Sequence, residues 1–138
     1  MGLDQYIYKV NQEDVKVNDD LLITECKLPK EEIFYYRKFP SLQGWMQKLY
    51  IWRGGINSFN NIPLLLTKED ITNFQNDFEK GMLPKTSGFF FGNDLDLLST
   101  NEAEREWAKN RYIYTQEFIK TSLKLIDQNY LIVYDSSW

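Results

Sequence analysis

The chain contains no histidine, and Cys26 is the only cysteine among its 138 residues. Without histidine, no serine–histidine or cysteine–histidine pair can form, which excludes the commonest designs of hydrolytic enzymes. A single cysteine cannot form a disulfide within the chain, so a reducing cytoplasm is the expected compartment. Cys26 itself is expected to be a small core residue rather than a nucleophile. Any catalysis would therefore have to use carboxylates, lysine or tyrosine.

Long apolar runs and an excess of basic charge are also lacking. No apolar stretch approaches the ~20 residues that cross a bilayer, and the start, MGLDQYIYKV, is unlike a secretion signal. The formal net charge is −4. Binding along an extended nucleic acid needs many Lys and Arg contacts to phosphates, so it is not expected here. The composition therefore predicts a soluble protein without a membrane or an extended nucleic acid as partner.

The sequence does supply enough apolar side chains for one core, because 43% of its residues are hydrophobic and 16% are aromatic. A chain of this length predicts one domain, residues 1–138. Alternating and β-branched patterns predict strands at 4–10, 21–28 and 31–38, a short edge strand within 62–66, and a strand within 129–138. The acidic stretch 11–20 is expected to be a loop or a hairpin connection. Strands near both ends of the chain are expected to be neighbours in one sheet.

Helical spacing predicts three helices. The first spans about 39–52, the second opens at Thr67 and ends at Gly81, and the third runs from a capping box at Ser99 and Glu102 to about residue 127. The predicted buried positions are Leu42, Trp45, Met46, Leu49 and Trp52 in the first, Ile71, Phe74 and Phe78 in the second, and Ala103, Trp107, Tyr114, Phe118 and Leu125 in the third. The expected architecture is a single two-layer α+β domain, with a mostly antiparallel sheet that includes both termini and about three helices packed on it.

The stretch KTSGFFFGN, residues 85–93, has three consecutive phenylalanines between two glycines. A strand sends alternate side chains to opposite faces, so at least one ring needs another explanation. One interpretation is a buried strand with a glycine at each bend. The other is a site whose glycines expose backbone amides, whose lysine and hydroxyls bind an anion, and whose phenylalanine faces a planar ligand. The candidate ligand-binding residues here are Lys85, Thr86, Ser87, Gly88, Phe89, Phe91, Gly92 and Asn93.

A second candidate is the basic pair in the segment YYRK. Arg37 and Lys38 are expected on opposite faces of the predicted strand, so one of them must leave the solvated side or reach past the edge of the sheet. A guanidinium beside Tyr36 or Trp45 can stack on the ring and bind a carboxylate or phosphate with two hydrogen bonds. The alternative is a structural salt bridge to an acidic residue, for example Asp4 or Asp135.

Two further segments are candidates. Trp138 is expected to be tucked against the protein, either as a plug on the core or with Ser136 and Ser137 in the same pocket as Ser87. The segment NDLD supplies Asn93, Asp94 and Asp96 as oxygen ligands for magnesium, although it lacks the glycine and glutamate of a calcium loop.

Four segments, MGLDQYIYK, EIFYYRK, LPKTSGFFFG and SSW, together resemble a family of small phage and prophage proteins. Members typically open with MGLD, carry a YWRK-like stretch and then LPTQSGFFFG, and close on SSW. The resemblance spans the whole chain in these islands; this chain has Tyr36 in place of tryptophan, and Lys85 and Thr86 in place of threonine and glutamine. Members are often labelled phosphoglycerate kinase, but this chain is too short for a two-domain sugar kinase and has no P-loop. The resemblance implies a phage origin, the host-cell cytoplasm as location, and one shared site.

Three functions are consistent with these observations. The first is a phage accessory protein of anti-defence type that captures a small anionic, nucleotide-like ligand, because positive charge, hydroxyls and glycines suit a pocket. The second is an acidic protein–protein inhibitor of a host or defence enzyme. The third is a nucleotide hydrolase that uses carboxylates and a metal. The first hypothesis requires no cofactor, no metal and no catalysis, and it permits a homo-oligomer.

Overall fold

Strands and helices occupy most of the three segments that the computed structural model describes, residues 2–27, 30–84 and 102–138. The strands are β1 (Asp4–Asn11), β2 (Val15–Val17), β3 (Ile23–Cys26), β4 (Glu31–Arg37), β5 (Leu64–Leu66) and β6 (Tyr130–Ser137). The helices are α1 (Pro40–Trp52), α2 (Lys68–Glu79) and α3 (Glu102–Asp127), with a short 3-10 turn at Gln12–Asp14. The α+β prediction is confirmed.

The main sheet has the strand order β4-β1-β6-β5, and every neighbouring pair is antiparallel. The first and last strands pair along their whole length, from Asp4 opposite Ser137 to Asn11 opposite Tyr130. This pairing confirms the prediction that the two ends of the chain are neighbours in one sheet. The edge position predicted for β5 is also confirmed. The segment 11–20 differs from a plain connection, because β2 lies in it and pairs with β3 in a separate two-stranded sheet.

The hydrophobic core lies between the helices and one face of the main sheet. The helices pack on one another and on the strands, with α3 on β6 and α2 on both α3 and β5. Among the described residues, no helix has the length and apolar character needed to cross a bilayer. The buried residues that form this core include Ile7, Ile132 and Tyr134 of the sheet, Leu42 and Met46 of α1, Ile71, Phe74 and Phe78 of α2, and Phe118 and Ile119 of α3.

A buried polar network fixes the turn that leads from β4 into α1. The Gln5 amide donates to the carbonyl oxygen of Phe39 (2.9 Å) and to the hydroxyl of Tyr134 (3.0 Å). Its oxygen accepts from the Phe39 backbone N–H (2.8 Å), and the Tyr134 hydroxyl donates in turn to Gln43. Phe39 is the N-cap residue of α1 and has no capping side chain of its own. Gln5 therefore satisfies backbone groups at the start of this helix and joins β1, β6 and α1.

The buried face of α3 differs from the predicted one. Ala108, Thr115 and Ser122, seven residues apart, are buried together with two larger neighbours, whereas Trp107 is 45% and Tyr114 38% exposed. The predicted stripe was therefore wrong at Ala103, Trp107 and Tyr114, although Phe118 is buried as expected. The face of α3 with the small side chains is the one that packs on the core, which places Trp107 and Tyr114 at the flank of the helix.

A similar shift occurs in α1. Leu42, Met46 and Tyr50, four residues apart, are buried, while Trp45 is only partly buried and Trp52 is 83% exposed. Burial of Trp52 was therefore wrongly predicted. A spacing of four places the buried positions on one line along the helix, whereas Trp52, two residues after Tyr50, is turned roughly 200° from it and points away from the core.

A buried arginine joins α1, β5 and α2. The Arg53 side chain is 2% exposed, pairs with the Asp70 carboxylate and donates to the carbonyl oxygen of Leu65 (2.6 Å). Asp70 also completes the capping box of α2, because it accepts from the Thr67 N–H (2.8 Å) while the Thr67 hydroxyl accepts from the Asp70 N–H (3.2 Å). The start of α2 thus depends on one carboxylate that Arg53 neutralises.

Replacing Arg53 by methionine is predicted to lower the free energy of unfolding by about 3–5 kcal/mol, because Asp70 would be left largely buried without its cation. Urea unfolding followed by circular dichroism measures the loss. The matched control is Lys68→Met, which breaks an exposed pair with Asp127 (3.2 Å). This control should cost less than about 1 kcal/mol. Equal costs for the two variants would contradict the structural role of Arg53.

Candidate functional site

The candidate site lies along the outer edge of β4. β4 is an edge strand, so alternate backbone groups point away from β1 and need other partners. Side chains of α3 supply them. The Tyr114 hydroxyl accepts from the Tyr35 N–H (2.9 Å), and the Arg111 guanidinium donates to the carbonyl oxygens of Arg37 (2.7 Å) and Lys38 (2.8 Å). The helix is thereby fastened along the end of the strand.

Arg111 also lies between aromatic rings. Its guanidinium carbon is 4.0 Å from the centroid of the Trp107 ring and 5.0 Å from that of Phe39. Trp107, Arg111 and Tyr114 are four and three residues apart, so they share one side of α3. Two carbonyl contacts and two ring contacts hold the Arg111 cation in a fixed position.

A cleft of about 450 Å³ lies between β4 and α3, and we call it the edge cleft. Its volume is within the range of small-molecule sites, roughly 300–1,000 Å³. Two arginines line it and no carboxylate is among its described lining residues, although the protein carries a formal net charge of −4. The residues that line the edge cleft are Tyr35, Tyr36, Arg37, Trp107, Asn110, Arg111 and Tyr114.

Arg37 is exposed, and within residues 2–27, 30–84 and 102–138 no carboxylate forms an ion pair with it. Asp4 lies opposite Arg37 in the strand register but accepts from the Tyr35 hydroxyl. Asp135 lies 3.8 Å from the Lys30 ammonium instead. Neither of the acidic partners suggested by the sequence therefore neutralises the guanidinium of Arg37.

Lys38 does not share the strand with Arg37. β4 ends at Arg37, and Lys38 adopts a left-handed backbone conformation with φ 56°. Its N–H donates to the carbonyl oxygen of Leu3 (2.8 Å), which fixes the chain reversal. The expected opposition of Arg37 and Lys38 across one strand is therefore wrong, because Lys38 belongs to the turn that follows.

Three other candidate residues lie away from the cleft opening. Tyr36 lines the cleft but is only 3% exposed, and its hydroxyl donates to Thr115 Oγ1 (2.9 Å). Burial raises the pKa of its phenol, so it stays neutral. Ser136 is 1% exposed. The Trp45 indole donates to Asp77 Oδ2 (2.9 Å), between α1 and α2. These side chains contribute to the interior and to helix packing.

Trp138 is tied down, as expected, but not buried. Its indole N–H donates to the carbonyl oxygen of Phe59 (2.9 Å), and its main chain exchanges two hydrogen bonds of 3.0 Å with the Asn60 side chain. The side chain remains 38% exposed. Its anchor is therefore the loop before β5.

Two of the three segments that hold candidate site residues lie at one end of the sheet. Ser137 is opposite Asp4, and Asp4 is opposite Arg37, so residues 36–38 and 136–138 are separated by one strand. Two strand spacings place them about 10 Å apart. The third segment lies outside the described residues, and so do Asp94 and Asp96. Its candidate residues are Lys85, Thr86, Ser87, Gly88, Phe89, Phe91, Gly92 and Asn93. In the part of the chain that is described, no three cysteine, aspartate or glutamate side chains are grouped to hold a metal ion.

A second cleft, of about 400 Å³, lies near the other end of β1. Its two lysines are already engaged. Lys9 Nζ is 3.4 Å from Glu31 Oε2 and 4.1 Å from the centroid of the Tyr130 ring. Lys30 is the lysine that pairs with Asp135. Among the described residues, the edge cleft therefore differs from the second cleft in presenting a cation, Arg37, that forms no ion pair.

Sequence reasoning missed the contribution of α3 to this site. Trp107 and Tyr114 were assigned to the core, and Asn110 and Arg111 were not considered. The spacing of seven between Ala108, Thr115 and Ser122 was the available signal, because a row of small residues marks the face of a helix that lies closest to its neighbour. That face would have placed the aromatic and basic side chains beside the edge of the sheet.

Replacing Arg111 by methionine is predicted to cost about 1–3 kcal/mol of stability, because two carbonyl oxygens at the end of β4 lose their donor. Arg111→Lys should recover only part of this loss, since an ammonium lacks the planar fork that spans two acceptors. Urea unfolding measures both. Arg105→Met, which removes an exposed cation from the same helix, is the control and should change stability by less than about 0.5 kcal/mol. A loss of stability in Arg111→Met that is no larger than the loss in Arg105→Met would contradict the role of Arg111 in holding α3 against β4.

Comparisons of the whole chain with known proteins found no matching family model, curated protein or solved structure.

Proposed function

We propose that this protein binds a small anionic, planar ligand of nucleotide type in the edge cleft and withholds it from a host receptor. The observation that carries the proposal is the composition of this cleft. On an acidic protein, it combines two arginines with a half-exposed indole, and none of its described lining residues is a carboxylate. Phosphate and a flat ring system are the ligand groups that such a lining recognises best.

Each side chain of the cleft has a distinct role in this proposal. Arg37, exposed and without an acidic partner among the described residues, contacts the phosphate through paired hydrogen bonds. Arg111 is held by the backbone of β4 and contributes a fixed positive potential. Trp107 offers its exposed surface for stacking, and the Asn110 amide can donate to or accept from the edge of a base.

The biological setting of the proposal rests on the resemblance to small phage and prophage proteins. A phage protein that captures a nucleotide signal would act in the host cytoplasm and would not need to turn the ligand over. Binding without catalysis also suits the absence of histidine from the chain.

Thermal shift of the purified protein against linear and cyclic nucleotides is the test. A nucleotide present at 100 times its dissociation constant is predicted to stabilise the protein by about 2.7 kcal/mol. Inorganic pyrophosphate is included because it keeps the charge and lacks the ring, and we expect it to stabilise less. Arg37→Ala and Trp107→Leu should each weaken the nucleotide effect, without lowering the melting temperature of the free protein by more than a few degrees.

Lys68→Ala is the matched control, since it removes an exposed cation from the start of α2. It should leave the nucleotide effect unchanged. The proposal fails if no nucleotide stabilises the native protein at millimolar concentration, or if Arg37→Ala responds as strongly as the native sequence does.

A second candidate function, inhibition of a host or defence enzyme by direct contact, is favoured by a different surface. Ile51, Trp52 and Ile56 follow closely in the chain and are 57%, 83% and 93% exposed. Exposed aromatic and aliphatic side chains near one another are typical of protein contacts. Under this alternative, a pull-down from infected cells recovers one stoichiometric host protein, and Trp52→Ser loses it. Recovery that is unchanged by Trp52→Ser would rule out this surface.

A further inference from the structure

The face of the main sheet opposite the helices carries a row of tyrosines. By strand register, Tyr6, Tyr8 and Tyr35 all point to this side, which we call the open face. The Tyr6 centroid is 6.0 Å from that of Tyr8, with nearly parallel rings, and 5.3 Å from that of Tyr35. Tyr35 is 39% exposed, and the other two are partly exposed. These rings keep part of their aromatic surface in solvent, whereas Val133, opposite Tyr8 on the same side of the sheet, is buried.

Carboxylates surround this row. In the register, Asp4 lies opposite Arg37, Asp135 opposite Tyr6 and Glu32 opposite Tyr8, so all three acidic residues share the open face. The Asp135 Oδ1 atom is buried and has no hydrogen-bond partner within the described part of the chain. Burial raises the pKa of the Tyr6 phenol, and these three carboxylates raise it further. The negative charge of these carboxylates therefore acts on the tyrosine rings.

One end of the row already holds a cation of the protein itself. Lys30 Nζ lies 4.6 Å from the centroid of the Tyr8 ring and 3.8 Å from Asp135 Oδ2. This arrangement combines a cation–π contact with an ion pair, and it shows the chemistry that the open face can recognise. Tyr6 and Tyr35, beside Asp4 and Glu32, repeat the same combination of ring and carboxylate. Across residues 2–27, 30–84 and 102–138, no lysine or arginine lies over these two rings.

We propose that the open face binds an arginine-bearing basic segment of a partner protein, with a guanidinium over Tyr6 and Tyr35 and hydrogen-bonded to Glu32. Arginine fits better than lysine because its planar group stacks on a ring and binds a carboxylate with two hydrogen bonds at once. The net negative charge of the protein attracts such a segment over a longer range. This site adjoins the edge cleft, because Tyr35 borders both, and it has the opposite charge preference.

The test is a titration of the isotopically labelled protein with a hexa-arginine peptide, followed by amide chemical shifts. Saturable shifts confined to residues 4–8, 31–37 and 135 are expected, with hexa-lysine binding more weakly. Glu32→Gln should weaken binding about threefold to fivefold, and Tyr6→Leu by a similar factor. Glu32 is exposed and forms no ion pair among the described residues. The Glu32→Gln result therefore decides the matter even if Tyr6→Leu does not fold.

Glu69→Gln is the matched control, because it removes the same unit charge from an exposed position in α2. Affinity unchanged in this variant supports a defined site. An equal loss in Glu69→Gln and Glu32→Gln, shifts spread over the acidic helices, or no saturable binding would each overturn the proposal.

Arg37→Ala separates this proposal from the nucleotide site. Arg37 shares the open face by register and repels an incoming guanidinium, so its removal should tighten peptide binding about twofold. The same variant is expected to lose nucleotide stabilisation. Weaker peptide binding in Arg37→Ala would count against the open-face site alone, and an intact nucleotide effect would count against the edge cleft alone.

Discussion

The unpaired backbone of β4 is the constraint on which this site depends. An edge strand must hide or satisfy its outward N–H and carbonyl groups, because exposed edges recruit other strands. Here α3 satisfies two of them, the Tyr35 N–H through the Tyr114 hydroxyl and the Arg37 carbonyl through the Arg111 fork, which also reaches the Lys38 carbonyl. The same contacts set the distance between helix and strand, and so create the edge cleft. Arg111 is committed to the backbone, which leaves Arg37 as the exposed cation of the cleft.

Hydrogen bonds in the protein interior explain why Arg111 meets the end of β4. Gln5 fixes the turn at Phe39 through both of its amide atoms, and this turn places the Lys38 carbonyl within reach of Arg111. On the other side of Arg111, Thr115 accepts from the buried Tyr36 hydroxyl and donates to the Arg111 carbonyl oxygen. Buried polar networks of this kind specify one arrangement, since a misplaced partner leaves a desolvated group unsatisfied. The cleft is therefore fixed by the core beneath it.

The sequence predicted where the helices and strands lie better than it predicted which of their faces are buried. Helix ends follow from local signals, such as Thr67 at the start of α2, while β1 follows from alternation and β6 from branched and aromatic residues. The pairing of both terminal strands was also predictable, because two strands of similar length at the chain ends can share one sheet. The sequence could not predict which face of α3 is buried, because Trp107 and Tyr114 have helical spacing and apolar character whether they lie in the core or at a flank. Only the packed structure distinguishes these positions.

The candidate site shows the same limit. Arg37 and Tyr36, which line the edge cleft, are candidates from the sequence because a basic pair follows two aromatic residues there. The role of Arg111 depends on carbonyl groups 73 and 74 residues away in the chain. No local pattern reports such a contact. Burial of Tyr36 and Ser136 is likewise a tertiary property, decided by which face of β4 and β6 the helices cover.

The most direct measurement is the set of indole N–H resonances during a nucleotide titration. The chain has four tryptophans, and two of their indoles are anchored, Trp45 on Asp77 and Trp138 on the Phe59 carbonyl. The account predicts that the Trp107 resonance moves with saturation while those of Trp45, Trp52 and Trp138 stay in place. A Trp107 resonance that is unaffected while another indole responds would contradict ligand binding in the edge cleft.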